Sequence, residues 1–405
     1  MTTGDDVAVR AATADDWDEI HSLLNLVFHD PDDEEVRRVE GSVYEPERGL
    51  VATDGPVIVG HAAAYTRELT VPGAILPAAH VTLVGVAPTH RRRGVLSRMM
   101  RRQLAEIAEA GREPIAVLWA SEGRIYPRYG YGLAAQRLSL HTNTRELSVP
   151  GTPAGRLRLV EPAQATGDFA KVYEQLRADR VGWSSRDDRW WRFVLADYAS
   201  RRQGGTERHG VVHEGPDGLT GYATWRTNDG WDANGPTSKV SVSEVVAADP
   251  ETYATLWRFL LTLDLTRSLH ATCLPLDDPI QHLVDEPRQL GARVQDGHWV
   301  RITDLPAALT ARRYATDVDV VLDVTDPLLP GNTGRWRVTG GACEPATGPA
   351  DLACTITELG AVYLGGTTLA ALAAAGRVRE LTPGAVNRAS RAFAWHRMPQ
   401  PLQIF

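Results

Sequence analysis

A short stretch in the first third of the chain, residues 84–97, constrains the fold more than any other feature of the sequence. Its apolar start, Val84 to Val86, predicts the end of a strand, and Ala-Pro-Thr-His-Arg-Arg-Arg-Gly then leads into a helix beginning near Gly94. The unpaired N–H groups and the dipole at a helix start favour an anion. Because it has no Cβ, Gly94 lets the backbone approach that anion closely. The stretch therefore predicts a pyrophosphate-binding turn.

Two side chains in this turn add to the prediction. The guanidinium groups of Arg92 and Arg93 can make charge-assisted, forked contacts with phosphates. The strand at residues 84–86 would hold an extended ligand through backbone hydrogen bonds, as if the ligand were an added strand. The alternative is an ordinary strand–helix corner with a solvated arginine cluster, and the turn by itself leaves both interpretations open.

The hydrophobic pattern around the turn predicts a mixed α/β unit that ends near residue 145. In order, we expect a strand over residues 7–9, a helix over 17–27, strands over 49–53 and 57–65, a strand ending at 86, a helix over 94–111 and a strand over 115–119. The two middle strands form a hairpin through Asp54 and Gly55.

A second unit, expected over residues 146–295, is rich in tryptophan and contains a weakened copy of the same pattern. Residues 242–250 predict a strand and a turn ending in Ala-Ala-Asp-Pro, and residues 256–260 predict a helix. The copy lacks the arginines and the glycine of the first turn. We interpret it as a degenerate internal repeat.

The composition changes again near Arg301, and we place a third, α+β domain at residues 296–405. Asp304-Leu-Pro306 has the pattern of a capped helix start with proline in the first turn. Strands are expected over 319–324, 334–339 and 354–357, followed by helices over 359–364, 367–375 and 383–393. The predicted fold class of the whole chain is therefore α/β (α+β).

The composition excludes several classes of protein. A formal net charge of −8 argues against nucleic acid or an anionic membrane as a partner and favours a cationic one. No apolar run reaches the roughly 18 residues that a membrane span needs, and residues 1–6 show no signal-peptide pattern. Cys273, Cys343 and Cys354 lack the spacing of a zinc site or a disulfide framework. We therefore expect no metal and a cytoplasmic location.

Residues 84–97 resemble the cofactor motif of the GNAT acetyltransferase superfamily, in which Arg/Gln-x-x-Gly-x-Gly/Ala follows V-x-P. The match begins at Arg91 or Arg92 and departs from the strict form at Leu96 or Ser97, where a small residue is usual. This resemblance implies acetyl-CoA as the cosubstrate.

The segment from Ser121 to Gly132 resembles a second element of the same superfamily. It contains Tyr126 followed by Gly130 and an aromatic residue. Acetyl transfer expels a thiolate, and a phenol can protonate it because reference pKa values of about 10 and about 8.5 differ by only ~1.5 units. We interpret Tyr126 as a general acid, and Tyr129 and Tyr131 as residues that pack the edge of the domain.

With both motifs in place, the whole chain resembles the Eis (enhanced intracellular survival) family of actinobacterial aminoglycoside acetyltransferases. The resemblance also rests on Trp299-Val-Arg301, on Pro306-Ala-Ala-Leu309 and on the ending Pro-Gln-Pro-Leu-Gln-Ile-Phe405. It implies two tandem GNAT folds, a C-terminal sterol-carrier-protein-like domain, assembly as a homo-hexamer and a role in antibiotic resistance.

The resemblance also implies the roles of individual residues. Tyr126 would be the general acid, and the terminal carboxylate of Phe405 would be the base. By match, the residues in contact with acetyl-CoA are Val84, Gly85, Val86, Arg92, Arg93, Gly94, Val95, Leu96, Ser97, Ser121 and Glu122.

The chain end has a physical interpretation of its own. Residues 398–405 are stiffened by prolines and apolar to the last residue, which predicts a docked segment, held for catalysis or by packing alone. A carboxyl pKa near 3.5 and an amine pKa near 10.4 would make direct proton transfer cost roughly 9 kcal/mol. A terminal carboxylate works as a base only if burial raises its pKa or neighbouring ammonium groups acidify the amine, as in polyamino sugars.

Other polar residues leave alternatives open. The acidic run 30–35 either lines an acceptor pocket, where it would attract polycations, or forms a solvated helix cap. His29, His80 and His90 are possible bases, and we expect structural or solvent-facing roles for them.

We therefore predict an acetyl-CoA-dependent N-acetyltransferase acting on a cationic, amine-bearing small molecule. The alternatives are acetylation of protein lysines, or a protein without enzymatic activity that binds an apolar ligand through its third domain. Arg92, Arg93, Gly94 and Tyr126 argue against the second alternative.

Overall fold

The fold is described here for residues 7–405 of a computed structural model. Residues 1–6, on which the expectation about a signal peptide rests, lie outside the described residues. Two compact units are formed, one from residues 7–135, 297–396 and 404–405, the other from residues 136–296 and 397–403. No helix among residues 7–405 combines the length and apolar character needed to cross a bilayer.

The helices and strands fall into three consecutive stretches of the chain. The first contains β1 (Val7–Ala11), α1 (Trp17–Phe28), α2 (Glu34–Val43), β2 (Gly49–Asp54), β3 (Val57–Val71), β4 (Ala74–Val86), α3 (Val95–Ala110), β5 (Ile115–Trp119) and β6 (Gly132–Leu133). The second contains β7 (Gln136–Asn143), β8 (Arg156–Val160), α4 (Thr166–Arg177), α5 (Asp188–Leu195), β9 (His209–Gly215), β10 (Gly218–Asn228), β11 (Trp231–Asp232), β12 (Gly235–Pro236), β13 (Ser238–Ala247), α6 (Pro250–Leu261), β14 (Thr266–Leu274), α7 (Ile280–Leu283) and β15 (Arg293–Asp296). The third contains β16 (His298–Ile302), α8 (Leu305–Ala311), β17 (Asp319–Thr325), β18 (Gly334–Thr339), β19 (Cys343–Pro345), β20 (Leu352–Thr355), α9 (Ile356–Val362), α10 (Leu369–Ala374), β21 (Arg379–Glu380) and α11 (Ala385–Phe393).

Seven strands form the first sheet, in the order β1-β2-β3-β4-β5-β16-β6. Neighbouring strands are antiparallel except β4 and β5, which are parallel. The predicted elements are present in the predicted order, with one unpredicted helix, α2, inserted after α1. The hairpin turn has Gly55 in the left-handed region, with φ +57°. Strand β16 completes this sheet although it follows the second stretch in sequence.

The second sheet has the order β15-β7-β14-β13-β10-β9-β8, in which only β13 and β14 are parallel. The strand–turn–helix pattern of the first unit recurs here as β13 and α6. Strand β7 lies in this sheet, so the boundary predicted near residue 145 falls after the first strand of the second unit.

The third stretch contributes a five-stranded sheet, β19-β18-β17-β20-β21, and belongs to the same unit as the first sheet. The strand predicted over residues 354–357 exists but lies two residues earlier, at Leu352–Thr355. It ends there because Thr355 caps α9, where it accepts a hydrogen bond from the N–H of Thr357. Glu358 completes the cap by accepting from the N–H of Thr355 at 3.0 Å. A reciprocal cap of this kind starts a helix.

Helix α9 packs against β6 and β16 at a distance that only glycine allows. A Cβ on Gly132 would collide with the backbone at Thr357 and Ala361, and a Cβ on Gly360 would collide with the carbonyl of Val300. A buried ion pair between Arg301 and Asp326, 2.7 Å long, joins the same sheet to the segment after β17. These contacts hold the first and third stretches in one unit.

Candidate active site

The candidate site begins where the two parallel strands of the first sheet diverge. Strands β4 and β5 pair only from Ala78 to His80 and from Ile115 to Val117. Strand β4 then continues to Val86, and no residue of β5 pairs with this last part among the described residues. The backbone of Val84–Val86 is therefore open on its β5 side to an extended ligand.

A bulge in β4 bends this open edge. The register with β3 shifts between His61 and Ala63, and Leu83 has a left-handed backbone, with φ +53°. The Nδ1 of buried His61 donates to the Leu83 carbonyl at 2.8 Å, and its Nε2 lies 3.1 Å from the Tyr44 hydroxyl. Burial lowers the pKa of His61 to about 4, so the ring is neutral and Nε2 accepts. This pair carries no sequence motif and was not predicted.

The predicted basic turn follows β4 and has the geometry of an anion site. Gly94 is the N-cap of α3 with φ +78°, and Arg92 is also left-handed, with φ +61°. A Cβ built on Gly94 would have nothing within 4 Å, so the space in front of the helix is open. The first N–H groups of α3, at Val95–Ser97, have no helical acceptor and face that space.

One cavity of about 1000 Å³ is lined by the open edge of β4, the basic turn and the start of α3. The predicted residues on its wall are Val84, Gly85, Val86, Arg92, Gly94, Val95, Leu96, Ser97, Ser121, Glu122 and Tyr126. Arg93 and Phe405 were predicted as site residues but do not line this cavity. Arg93 follows the left-handed Arg92, which turns consecutive side chains apart, and it is half-buried.

Tyr126 is buried at the cavity wall, and its ring packs edge-on against Tyr131 at 5.9 Å between centroids. Burial raises the pKa of Tyr126 to about 12, and a hydrogen bond with Ser121 opposes that increase. The hydroxyl therefore remains protonated at neutral pH. The expectation of a small difference from a thiol near 8.5 needs correction, because burial widens the difference.

The two neighbouring tyrosines differ from each other. Tyr131 is fully buried, and its hydroxyl has no hydrogen-bond partner among the described residues, which is consistent with packing. Tyr129 lines the cavity, and its hydroxyl lies 2.9 Å from the Ser97 Oγ. Tyr129 therefore orients a side chain in the first turn of α3 as well as packing the edge.

The chain end lies beside two buried histidines. The ring of Phe405 is 4.7 Å from that of His80 and 6.0 Å from that of His298. The Nδ1 of His80 donates to the Ala78 carbonyl at 2.9 Å, and burial lowers the pKa of His80 well below its usual value. His298 stands on β16 opposite Trp119, and burial lowers its pKa to about 3. His298 was not predicted as a site residue, because only the pairing of β16 with β5 brings it here.

The acidic run forms a helix cap. Asp33 is the N-cap of α2 and accepts from the N–H groups of Glu35 at 2.9 Å and Val36 at 3.3 Å. Asp32 pairs with Arg37 at 2.7 Å. None of these carboxylates lines the cavity, so this geometry supports the capping interpretation.

His29 and His90, the other two candidate histidines, have different surroundings. His29 ends α1 in a left-handed conformation and lines the cavity, and His90 lies 3.0 Å from the Asp54 carboxylate. Over residues 7–405, no group of three or more His, Cys, Asp or Glu side chains is arranged to hold a metal ion.

Comparison with known families agrees with this division of the chain. Residues 8–134 match an acetyltransferase (GNAT) domain, residues 182–302 match a second acetyltransferase (GNAT) domain, and residues 305–400 match a sterol carrier protein domain. The fold class and the degenerate repeat are thereby confirmed. The chain is an N-acetyltransferase built from two GNAT domains and a sterol-carrier-type domain.

Relatives that match nearly the whole chain identify the family within the GNAT acetyltransferases. An uncharacterized N-acetyltransferase from Streptomyces avermitilis is 42% identical over 95% of this chain and 96% of its own length. N-acetyltransferase Eis from Mycobacterium tuberculosis is 34% identical over 96% and 97%. The crystal structure of Eis1 from Mycobacterium abscessus superimposes with a TM-score of 0.84 at 32% identity, covering 98% of this chain and 100% of that one. The chain belongs to the Eis family of GNAT N-acetyltransferases, as the sequence motifs predicted.

Proposed function

We propose that this enzyme transfers the acetyl group of acetyl-CoA to amines of cationic small molecules such as aminoglycosides. The observation that carries the proposal is the cavity of about 1000 Å³, because it joins three features that acetyl transfer needs. These are the open edge of β4, the uncapped glycine start of α3 and the buried hydroxyl of Tyr126.

The residues on the cavity wall fit acetyl-CoA, which supplies an activated acetyl thioester when bound. The N–H groups of Val95–Ser97 and the guanidinium group of Arg92 would hold the pyrophosphate. The free backbone edge of Val84–Val86 would hold the pantetheine amides. The second GNAT domain has no glycine or arginine in the corresponding turn, so we propose one cosubstrate site per chain.

Tyr126 is the proposed acid. As the amine nitrogen bonds to the acetyl carbon and the carbon–sulfur bond breaks, negative charge develops on the sulfur, and the phenol donates to it. With a pKa of about 12, full proton transfer to a free thiolate near 8.5 is uphill by roughly 5 kcal/mol. Tyr126 therefore acts on the transition-state charge, which is where a positioned acid is most effective.

The terminal carboxylate of Phe405 is the proposed base, which accepts the proton that the amine loses. Its ordinary pKa is far below that of an alkylamine. A polyamine closes much of this difference, because each ammonium group lowers the pKa of its neighbours. This requirement supports polycationic acceptors over isolated lysine side chains, as does the net charge of −8.

The acceptor class is tested by measuring thiol release from acetyl-CoA with an aminoglycoside, a linear polyamine and a lysine peptide. We expect the highest kcat/KM for the aminoglycoside and the lowest for the peptide. Preferred turnover of the peptide would favour protein acetylation instead, and no thiol release with any amine would refute the proposal. The homo-hexamer and the cytoplasmic location expected from the resemblance belong to the same proposal, and sedimentation of the purified chain tests the first.

A further inference from the structure

The second unit contains a cleft of the same construction as the first, and the chain itself fills it. Strands β13 and β14 pair in parallel only up to Val242 and Ala271, after which β13 continues to Ala247 and β14 to Leu274. In the first unit, the corresponding divergence of β4 and β5 opens the cosubstrate cavity.

The helix start in this second cleft is closed to phosphate. Asp249 is the N-cap of α6 and accepts from the N–H of Thr252 at 2.8 Å and from its hydroxyl at 2.7 Å. The carboxylate occupies the position where an anion would bind and adds a negative charge of its own. This cleft therefore does not serve a second coenzyme.

Gln400 lies where these strands diverge, and three of its polar groups are hydrogen-bonded. Its backbone N–H donates to the Val181 carbonyl at 2.8 Å, and its side-chain Nε2 donates to the Cys273 carbonyl, at the end of β14, at 3.2 Å. Its Oε1 accepts from the indole Nε1 of Trp183 at 3.0 Å. A Cβ on Gly182, which has φ +93°, would lie 2.7 Å from the Gln400 carbonyl oxygen.

Residues on both sides of Gln400 also contact the second unit. Arg397 pairs with Asp179 at 3.0 Å, and the Met398 N–H donates to Asp277 at 2.9 Å. After Gln400, the Leu402 side chain is buried in the hydrophobic core of the second unit. Met398 and Gln400 also form part of the wall of a cavity of about 300 Å³ at the start of α6.

A segment held only by packing would not need this arrangement. A buried residue with three specific partners, two on its side-chain amide and one on its backbone N–H, fixes the register of the tail, because a shift of one residue would leave those partners unpaired. The chain ends five residues after Gln400. The terminal carboxylate therefore lies within about 18 Å of Gln400, the length of the extended chain between them.

We propose that the second GNAT domain has exchanged its coenzyme cleft for a dock that holds residues 397–403, and that Gln400 is the positioning residue for the Phe405 carboxylate. The proposal rests on the proposed role of Phe405 as base. It gives the degenerate domain a task in catalysis, which is to fix the chain end.

The test compares Gln400→Leu, Trp183→Phe and the double variant with wild type. Trp183→Phe removes one N–H and keeps an aromatic ring, so it preserves the fold if Gln400→Leu does not. Ile404→Ala is the matched control, because this side chain is exposed and lies closer to the chain end than Gln400. Each variant is assayed for kcat with an aminoglycoside, for acetyl-CoA binding by calorimetry and for exchange of the backbone amides of Met398, Gln400, Leu402 and Gln403.

We expect the Gln400 and Trp183 variants to lose about 10- to 100-fold in kcat, the cost of a misplaced catalytic group. Their amides in the tail should exchange faster, and acetyl-CoA affinity should not change. The losses in the double variant should be smaller than the sum of the single losses in free energy. Ile404→Ala should stay within about twofold of wild type, as is typical of exposed positions.

Full kcat in Gln400→Leu and Trp183→Phe would overturn the positioning role, and rapid exchange of the tail amides in wild type would overturn the dock itself. A C-terminally tagged chain separates these outcomes from failure of the proposed base. If the tag leaves kcat intact, Phe405 is not the base. If the tag lowers kcat steeply and Gln400→Leu keeps full kcat, the base stands and the positioning role of Gln400 is refuted.

Discussion

The ring of Phe405, the last residue, lies 4.7 Å from the imidazole of His80, which is the last residue of β4 that pairs with β5. The chain end thus lies where these two strands begin to diverge. Burial lowers the pKa of His80 well below its usual value, which makes the imidazole a weak base. The buried imidazole of His80 is therefore disfavoured as the proton acceptor.

The first prediction concerns that carboxylate. A short C-terminal tag converts it to an amide and moves the new carboxylate away, so we expect turnover to fall by about 10² to 10⁴, the usual contribution of a positioned base. The affinity for acetyl-CoA should not change, because Phe405 does not line the cavity proposed to bind it. The measurement compares the tagged chain with the same chain cleaved back to Phe405. Equal turnover in both would exclude the carboxylate, leaving His80 or Glu122 as candidates.

The second prediction is that Tyr126→Phe lowers kcat by about 10² to 10⁴ with little change in acetyl-CoA affinity or thermal stability. The ring keeps its edge-on contact with Tyr131, and only the hydroxyl is lost. Tyr131→Phe is the matched control, because its hydroxyl has no partner among the described residues and lies away from the cavity wall. Equal losses in both variants would show that Tyr126 is structural.

Local patterns predicted the parts of the site that are continuous in sequence. The strand end at Val86 and the helix start next to Gly94 are determined by neighbouring residues, and the structure contains both. The apolar ending likewise predicted a docked segment, and residues 397–403 are packed in the second unit.

The parts that were missed depend on pairing between distant residues. His298 reaches the site only because β16 pairs with β5, with His298 opposite Trp119, although about 180 positions separate them in sequence. The bulge at Leu83 depends on the Nδ1 of His61, on the neighbouring strand. Neither arrangement produces a local periodicity, so no pattern in the sequence could have predicted it.

The third prediction concerns the cosubstrate site. Arg92→Ala should weaken acetyl-CoA binding about tenfold, the effect of losing one charge-assisted phosphate contact. Gly94→Ala should weaken it too, because a Cβ disfavours φ +78° at the helix start. Arg101→Ala, on an exposed position of α3, removes the same charge and should leave binding unchanged. Calorimetry should give one site per chain, and a stoichiometry of two would contradict the assignment.

The fourth prediction is that Gly132→Ala destabilises the first unit by several kcal/mol, because its Cβ would enter the backbone of α9 at Thr357 and Ala361. Gly331→Ala is the control, since a Cβ there would meet nothing within 4 Å and the backbone is not left-handed. Thermal unfolding of both variants measures the effect. If Gly132→Ala unfolds at the wild-type temperature, α9 does not pack this closely on β6.

The fifth prediction concerns Asp278, which is buried beside the dock. Its Oδ1 accepts from the Tyr253 hydroxyl at 2.5 Å and from the Ile280 N–H at 3.0 Å. Burial raises the pKa of Asp278 to about 6, the nearby Asp277 adds to the increase, and the two hydrogen bonds and Arg180 oppose it.

An acid with a raised pKa in the folded state binds more protons folded than unfolded, so it costs stability as pH rises from about 4 to about 6. Asp278→Asn keeps an oxygen that accepts both hydrogen bonds and has no charge to bury. The variant should therefore match wild type near pH 4 and become more stable above pH 6, by about 3 kcal/mol at most for a change of roughly two pKa units. Urea unfolding at pH 4, 5, 6 and 7 measures the difference, and a difference that does not depend on pH would show that Asp278 ionises as easily in the folded chain as in the unfolded one.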